Sequence, residues 1–293
     1  MAWKFERVAG PFQGPANGVV WDGSGAILSL MEDMRLLRYD PRTKETQEVR
    51  KYTNRVNGLA YGGNGELLGC QEGGRRLVEF SPDGRMFKVD ALLDGKYHNH
   101  PCDLAVDTIG RIWFSDPHSS TLAFGPQIFP ALDHASVLRL EKNERNAWAM
   151  KRVTFDTRAP RAILLSADEK TLYVSENPAR ADDKRELRAY ALREDGSVGD
   201  YAVLLTFGAD RRGPHRGIEG LCKDVNGNVY ACGGSRASGA GPLIYVFNAD
   251  HHLIGAHPFA GDVPNRCCFG GADSKTLFVT TNDGCLYAGT PEK

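Results

Sequence analysis

Residues 17–30 read NGVVWDGSGAILSL: an apolar run, a short polar turn and a second apolar run. Valine, tryptophan, isoleucine and leucine suit a pleated, half-buried surface, while Asp-Gly-Ser-Gly supplies the positive φ and the local hydrogen bonds of a tight reversal. The stretch is a β-hairpin by this pattern. The arrangement returns five times, as NGLAYGGNGELLGC (57–70), CDLAVDTIGRIWFS (102–115), RAILLSADEKTLYVS (161–175), EGLCKDVNGNVYAC (219–232) and RCCFGGADSKTLFVT (266–280). Successive copies start about 40 to 60 residues apart, the period of propeller blades.

Two further strand patterns follow most hairpins, such as RLLRYD and ETQEVRKY after the first, or ELRAYAL and YAVLLTF after the fourth. Turn residues such as PRTK and REDG separate them. After the sixth hairpin only GCLYAG remains, whereas KFERVAGPF near the start has no hairpin partner, so the two ends are expected to complete one blade. Closure of that kind removes the exposed edges of an open array. The expectation is an all-β, six-bladed β-propeller of four-stranded antiparallel blades, one domain over residues 1–293, with no amphipathic helical pattern and no Pro/Ser linker. Trp21, Trp113, Tyr173, Tyr230 and Phe278 fall on blade strands as packing aromatics.

Charge narrows the partners. Lysine plus arginine number 36 against 37 aspartates and glutamates, without long blocks of either sign, which excludes an electrostatic footprint for nucleic acid or an anionic membrane and leaves a small molecule. No apolar run reaches the roughly 18 residues of a membrane span, and MAWKFERVAG lacks a signal-peptide core, so a cytoplasmic location is expected. Seven cysteines without a CxxC pair read as free, mostly buried thiols. No dinucleotide fingerprint, Walker motif or GxSxG elbow occurs. The longest irregular insertion, PHSSTLAFGPQIFPALDH (117–134), is apolar for a loop and reads as a lid, bracketed by His118 and His134.

The blade starts NGVVW (17–21), NRVNGL (54–59), PCD (101–103), RAI (161–163), IEGL (218–221) and RCCFGG (266–271), with FSDP at 114–117 and TLYVSEN at 171–177, resemble those of the regucalcin, gluconolactonase and luciferin-regenerating-enzyme family over nearly the whole chain. In a propeller all inner strands begin at one end of the central channel, so residues far apart in sequence meet there. The resemblance implies a lactonase-type hydrolase with one divalent metal, calcium first and zinc or magnesium after it, held by glutamate, two asparagines and aspartate. This sequence replaces all four: Asn17 stands for the glutamate, Cys102 and Arg161 for the asparagines, and Glu219 for the aspartate. Asp103 and Asn57 keep their family identities.

Two arrangements remain open. In one, Asn17, Asp103 and Glu219 hold a metal, with His100 or His215 near. In the other Arg161 replaces the metal as a fixed positive charge, since a guanidinium about 4 Å from a cation costs several kcal/mol at an effective dielectric near 20. Glu219, Asp103 and Arg161 are the catalytic candidates, the carboxylates as acid and base and Arg161 for carbonyl polarisation. Asn57, His100, Cys102, His118 and His215 are candidate substrate contacts. HNHPCD, which also contains His98, is equally good turn chemistry, and Cys102 alone reads as a packed thiol. The competing functions are a metal-independent lyase, isomerase or condensing enzyme resembling strictosidine synthase, and a binding propeller without chemistry.

Overall fold

Each of the six hairpins forms the two inner strands of a four-stranded antiparallel sheet. The computed structural model describes residues 2–120, 123, 129–180 and 182–292. Blade 1 comprises Ala16–Trp21, Ala26–Leu30, Arg35–Asp40 and Glu45–Arg50, and blade 2 comprises Val56–Tyr61, Leu67–Gln71, Arg76–Phe80 and Met86–Val89. Blade 3 runs through Asp103–Val106, Ile112–Asp116, Ser136–Lys142 and Trp148–Arg152. Pro160–Leu165, Thr171–Glu176, Arg185–Leu192 and Val198–Phe207 make blade 4. Blade 5 is Ile218–Lys223, Val229–Gly233, Leu243–Phe247 and Leu253–Pro258. Pro264–Gly270, Thr276–Thr281 and Leu286–Pro291 make blade 6, completed by the N-terminal strand Trp3–Ala9.

Neighbouring inner strands pack around a closed ring, blade 6 against blade 1 included. Burial falls outward along each blade, from AILSL in blade 1, buried at every position, to the polar edge strand ETQEVR. Strands covered on both faces need continuous apolar runs, and outer strands do not. Aromatic rings fill the wedges between blades: Trp21 of blade 1 stacks on Phe278 of blade 6 at 5.4 Å. Trp113 is fully buried and donates its indole N–H to Asp107 at 3.0 Å. All seven cysteines are free thiols, six of them buried.

The inner strands are joined at the axis by a repeated hydrogen bond. Ser29, in the second strand of blade 1, accepts from Gly18 N at 2.8 Å and donates to the Asn57 carbonyl of blade 2 at 2.6 Å. Ser115 of blade 3 accepts from Asp103 N at 3.1 Å and donates to the Arg161 carbonyl of blade 4 at 2.5 Å. Thr280 of blade 6 accepts from Arg266 N and donates to the Asn17 carbonyl of blade 1. In blades 1, 2, 4 and 6 the inner strand slips register against its partner, and the bonds satisfy the Gly18 and Arg266 amides and the Asn17, Asn57 and Arg161 carbonyls freed there, whereas Asp103 stays in register opposite Ser115. Close approach requires glycine beside one of them: a Cβ on Gly18 would lie 2.4 Å from the Asn57 carbonyl oxygen.

Two features fall outside the sequence reading. A two-residue ribbon pairs Ala209–Asp210 with Gly213–Pro214 between blades 4 and 5. The lid expected at 117–134 lies partly outside the described residues, at 121, 122 and 124–128. No helix among the described residues is long and apolar enough to cross a membrane.

The segment leading to blade 3 is anchored by Asp116, a fully buried carboxyl that accepts from Asn99 N at 2.7 Å. Burial pushes its pKa up to about 8, against the opposing pull of the Asn99 N–H, Arg75 and the His100 N–H. The folded chain thus keeps a proton that the unfolded chain releases above the ordinary value of 3.8. Stability from this group is complete below that value and is lost as pH rises through the folded pKa. Asp116→Asn is expected to flatten the decline of Tm between pH 5 and pH 8; an unchanged slope in thermal melts would contradict the assignment. For ring closure, Phe5 packs edge-on to Phe259 at 5.1 Å. Phe5→Ala should cost about 3–5 kcal/mol in denaturant unfolding, and a loss under about 1 kcal/mol would show that the N-terminal strand contributes little to the ring.

Candidate active site

The first residues of the inner strands converge as the repeat requires. Asn17, Asn57, Cys102, Arg161 and Glu219 line one cavity of about 280 Å³, together with Arg266. A second cavity of about 390 Å³ shares Asn57, Cys102 and Arg161 with the first and adds His100 and His118. The two are lobes of one basin, and Arg161 and Cys102 stand where they join.

Glu219 is 5% exposed and engaged at both carboxylate oxygens. Oε1 receives Asn177 Nδ2 at 2.6 Å and lies 3.1 Å from Arg216 Nη2; Oε2 lies 3.6 Å from Arg161 Nε. Burial alone would raise its pKa, but Arg161, Arg216, Arg266 and the Asn177 amide outweigh that effect and hold it below the usual value. The carboxylate is therefore ionised at neutral pH. Glu219, then Cys102, hold the Arg161 guanidinium firmly charged against its own burial. With 39% of its side chain exposed, Arg161 still presents N–H groups to the basin.

Asp103 faces the other way. Its carboxylate lies 3.4 Å from Arg266 Nε and accepts from Ile163 N at 3.1 Å, and it lines neither upper lobe. Asp103 and Arg266 instead separate the basin from a cavity of about 330 Å³ farther down the channel, whose wall includes both. Burial raises the Asp103 pKa, with Arg266 opposing. Arg266 crosses the axis from blade 6 to blade 3, where its Nη2 also donates to Cys102. His215 directly follows the short ribbon, 3.5 Å from Asp210, outside the lining of both lobes. His98 is fully buried against Arg75, and burial lowers its pKa to about 3, so it stays neutral.

Sequence reading passed over Arg266, Arg216, Arg55, Glu72 and Asn177. Arg55 joins Glu32 at 2.5 Å and Glu72 at 3.4 Å on the wall of the first lobe. A signal was present: Arg55 and Arg216 each stand just before an apolar inner strand, where a charge requires a partner.

The donor set does not fit the divalent metal expected on Asn17, Asp103 and Glu219. Four guanidiniums line the first lobe, two of them on Glu219, and Asp103 is turned to the floor. Calcium requires six to eight oxygen donors, and a cation here would meet fixed positive charge instead. Among the described residues no three His, Cys, Asp or Glu side chains are placed to share an ion.

Similarity searches agree with this architecture. A gluconolactonase from Xanthomonas campestris is 24% identical, with 98% of this chain and 89% of that chain covered and a TM-score of 0.79. A luciferin-regenerating enzyme is 16% identical over 99% and 96% of the two chains, with a TM-score of 0.73. A calcium-binding regucalcin from Agrobacterium tumefaciens is 15% identical over 98% and 93%, with a TM-score of 0.72. Likenesses this distant carry the fold. The family model for the SMP-30/gluconolactonase/LRE-like region matches residues 15–283, so this chain belongs to that family of β-propellers.

Proposed function

We propose that this chain hydrolyses a small lactone or ester in the axial basin, with Arg161 in the role of electrophile and Glu219 as the base. The contact between the partly exposed Arg161 guanidinium and the ionised Glu219, 3.6 Å apart at the wall of the basin, carries the reading. Arg161 donates N–H groups to the carbonyl oxygen and holds the negative charge that develops on it. Glu219 accepts a proton from water as the water oxygen adds to the carbonyl carbon. The ring C–O bond then breaks, the proton passes to the departing alkoxide, and a hydroxy acid leaves. Asn17 Oδ1, buried without a partner, offers an acceptor to a substrate hydroxyl. Asn57, His100 and His118 line the remainder of the cleft. Asp103 supports the floor through Arg266, and no step runs through a metal.

The same guanidinium-carboxylate pair suits a second reaction, abstraction of a proton beside a carbonyl, with Arg161 holding the enolate; the arginine-rich donor set favours it over metal chemistry. Incorporation of ¹⁸O from labelled water into the product distinguishes hydrolysis from a lyase or isomerase step.

For the hydrolase, Glu219→Gln is expected to lower kcat by at least about a hundredfold. Arg161→Gln should lower kcat/KM by about a hundredfold or more, and Arg161→Lys should not restore it, because an ammonium lacks the planar fork. Since Glu219 is held below its ordinary value of 4.5, the acid limb of the kcat/KM profile should fall below that pH. A limb near neutrality would assign the base elsewhere. Dialysis against a chelator should leave turnover unchanged; loss of activity restored by calcium would remove Arg161 from the electrophile's role.

A further inference from the structure

Cys102 differs from the other buried cysteines. Cys70, Cys222, Cys232 and Cys267 belong to apolar clusters between blades, and Cys285 lies at the last turn of blade 6 beside Thr281, away from the basin. Cys102 is 3% exposed, belongs to none of those clusters and lines both lobes of the basin. Three N–H donors from three other blades converge on its sulfur: Arg266 Nη2 at 3.3 Å, Asn57 Nδ2 at 3.5 Å and Arg161 Nη1 at 3.8 Å. A neutral thiol is a weak acceptor with one hydrogen of its own to place, and it gains little from three donors. A thiolate gains from all three, two of them cationic. The second arginine is itself fixed: Arg266 is 7% exposed and spans the axis to Asp103 and the Cys102 carbonyl, so it cannot swing away from the sulfur without leaving a carboxylate unpaired.

We propose that Cys102 is the nucleophile of this site, acting on an acyl group bound between Arg161 and Glu219; the turnover part of the idea rests on the lactonase reading above. The thiolate adds to the lactone carbonyl, and Arg161 holds the resulting oxyanion. The ring C–O bond breaks, leaving a thioester on Cys102 and an alkoxide at the other end of the opened chain. Glu219 takes a proton from water as that water adds to the thioester carbonyl, and delivers it to the alkoxide. The C–S bond breaks, the thiolate is regenerated, and lactone plus water has become hydroxy acid. Without Cys102, Glu219 activates water for direct attack on the ring, and the two routes differ in the covalent intermediate.

Two measurements decide between them. Iodoacetamide at pH 7, followed by peptide mass mapping, should label Cys102 at least about tenfold faster in the folded protein than in the chain unfolded in urea. Arg161→Gln, a change at a half-exposed side chain, should remove the advantage while circular dichroism shows the fold intact. In the second, turnover of γ-butyrolactone or δ-valerolactone is quenched in acid and read by intact mass. Wild type should carry one added lactone on Cys102, and Cys102→Ala should lose the adduct and at least about a hundredfold in kcat. Cys102→Ala turning over within threefold of wild type, or labelling no faster than in urea, overturns the proposal. If wild type hydrolyses neither lactone, the lactonase reading fails for those rings and labelling alone decides: rapid, Arg161-dependent modification sustains a nucleophilic Cys102, and slow modification overturns it.

Discussion

A hydroxyl that bonds in two directions sets the geometry of this propeller. Ser29, Ser115 and Thr280 each hold the amide of their own blade's inner strand and the carbonyl of the next blade's. The carbonyls they grip belong to Asn57, Arg161 and Asn17, which project into the basin. The joint between blades and the placement of the site are therefore one interaction. A side chain bonded through its own backbone to a neighbouring blade has little freedom to drift, which is the condition for preorganised chemistry.

Charge compensation governs the basin in the same manner. Arg55, Arg161, Arg216 and Arg266 are each matched to a carboxylate from another strand or loop, and breaking such a pair leaves an uncompensated charge in a poorly solvated place. Charges of this kind do not reorganise when charge develops beside them, which is what fixed electrostatic stabilisation requires.

Much of this was legible in the sequence. The hairpin repeat established the blades, and the expectation that KFERVAGPF completes the last one is met by the pairing of Phe5 with Gly289. Because every repeat begins at the axis, Asn17, Asn57, Cys102, Arg161 and Glu219 could be gathered before any coordinates existed. Asp103 was gathered with them, yet it directly follows Cys102 in the chain, and adjacent strand residues point to opposite sides. Arg266 opens the sixth repeat and was equally visible; its reach across the axis is a matter of side-chain length that periodicity does not encode. His215 was displaced by a ribbon too short to leave a periodic trace.

The pairing of Trp3–Ala9 with Leu286–Pro291 has a consequence for assembly of the ring. The first of the described strands pairs with the last, so five blades can stack while the ring is still an open arc. Until that pairing forms, the apolar flanks of blades 1 and 5, which the sixth blade will cover, remain bare. Circularity thus makes the docking of the sixth blade the step at which the axial basin acquires its last wall.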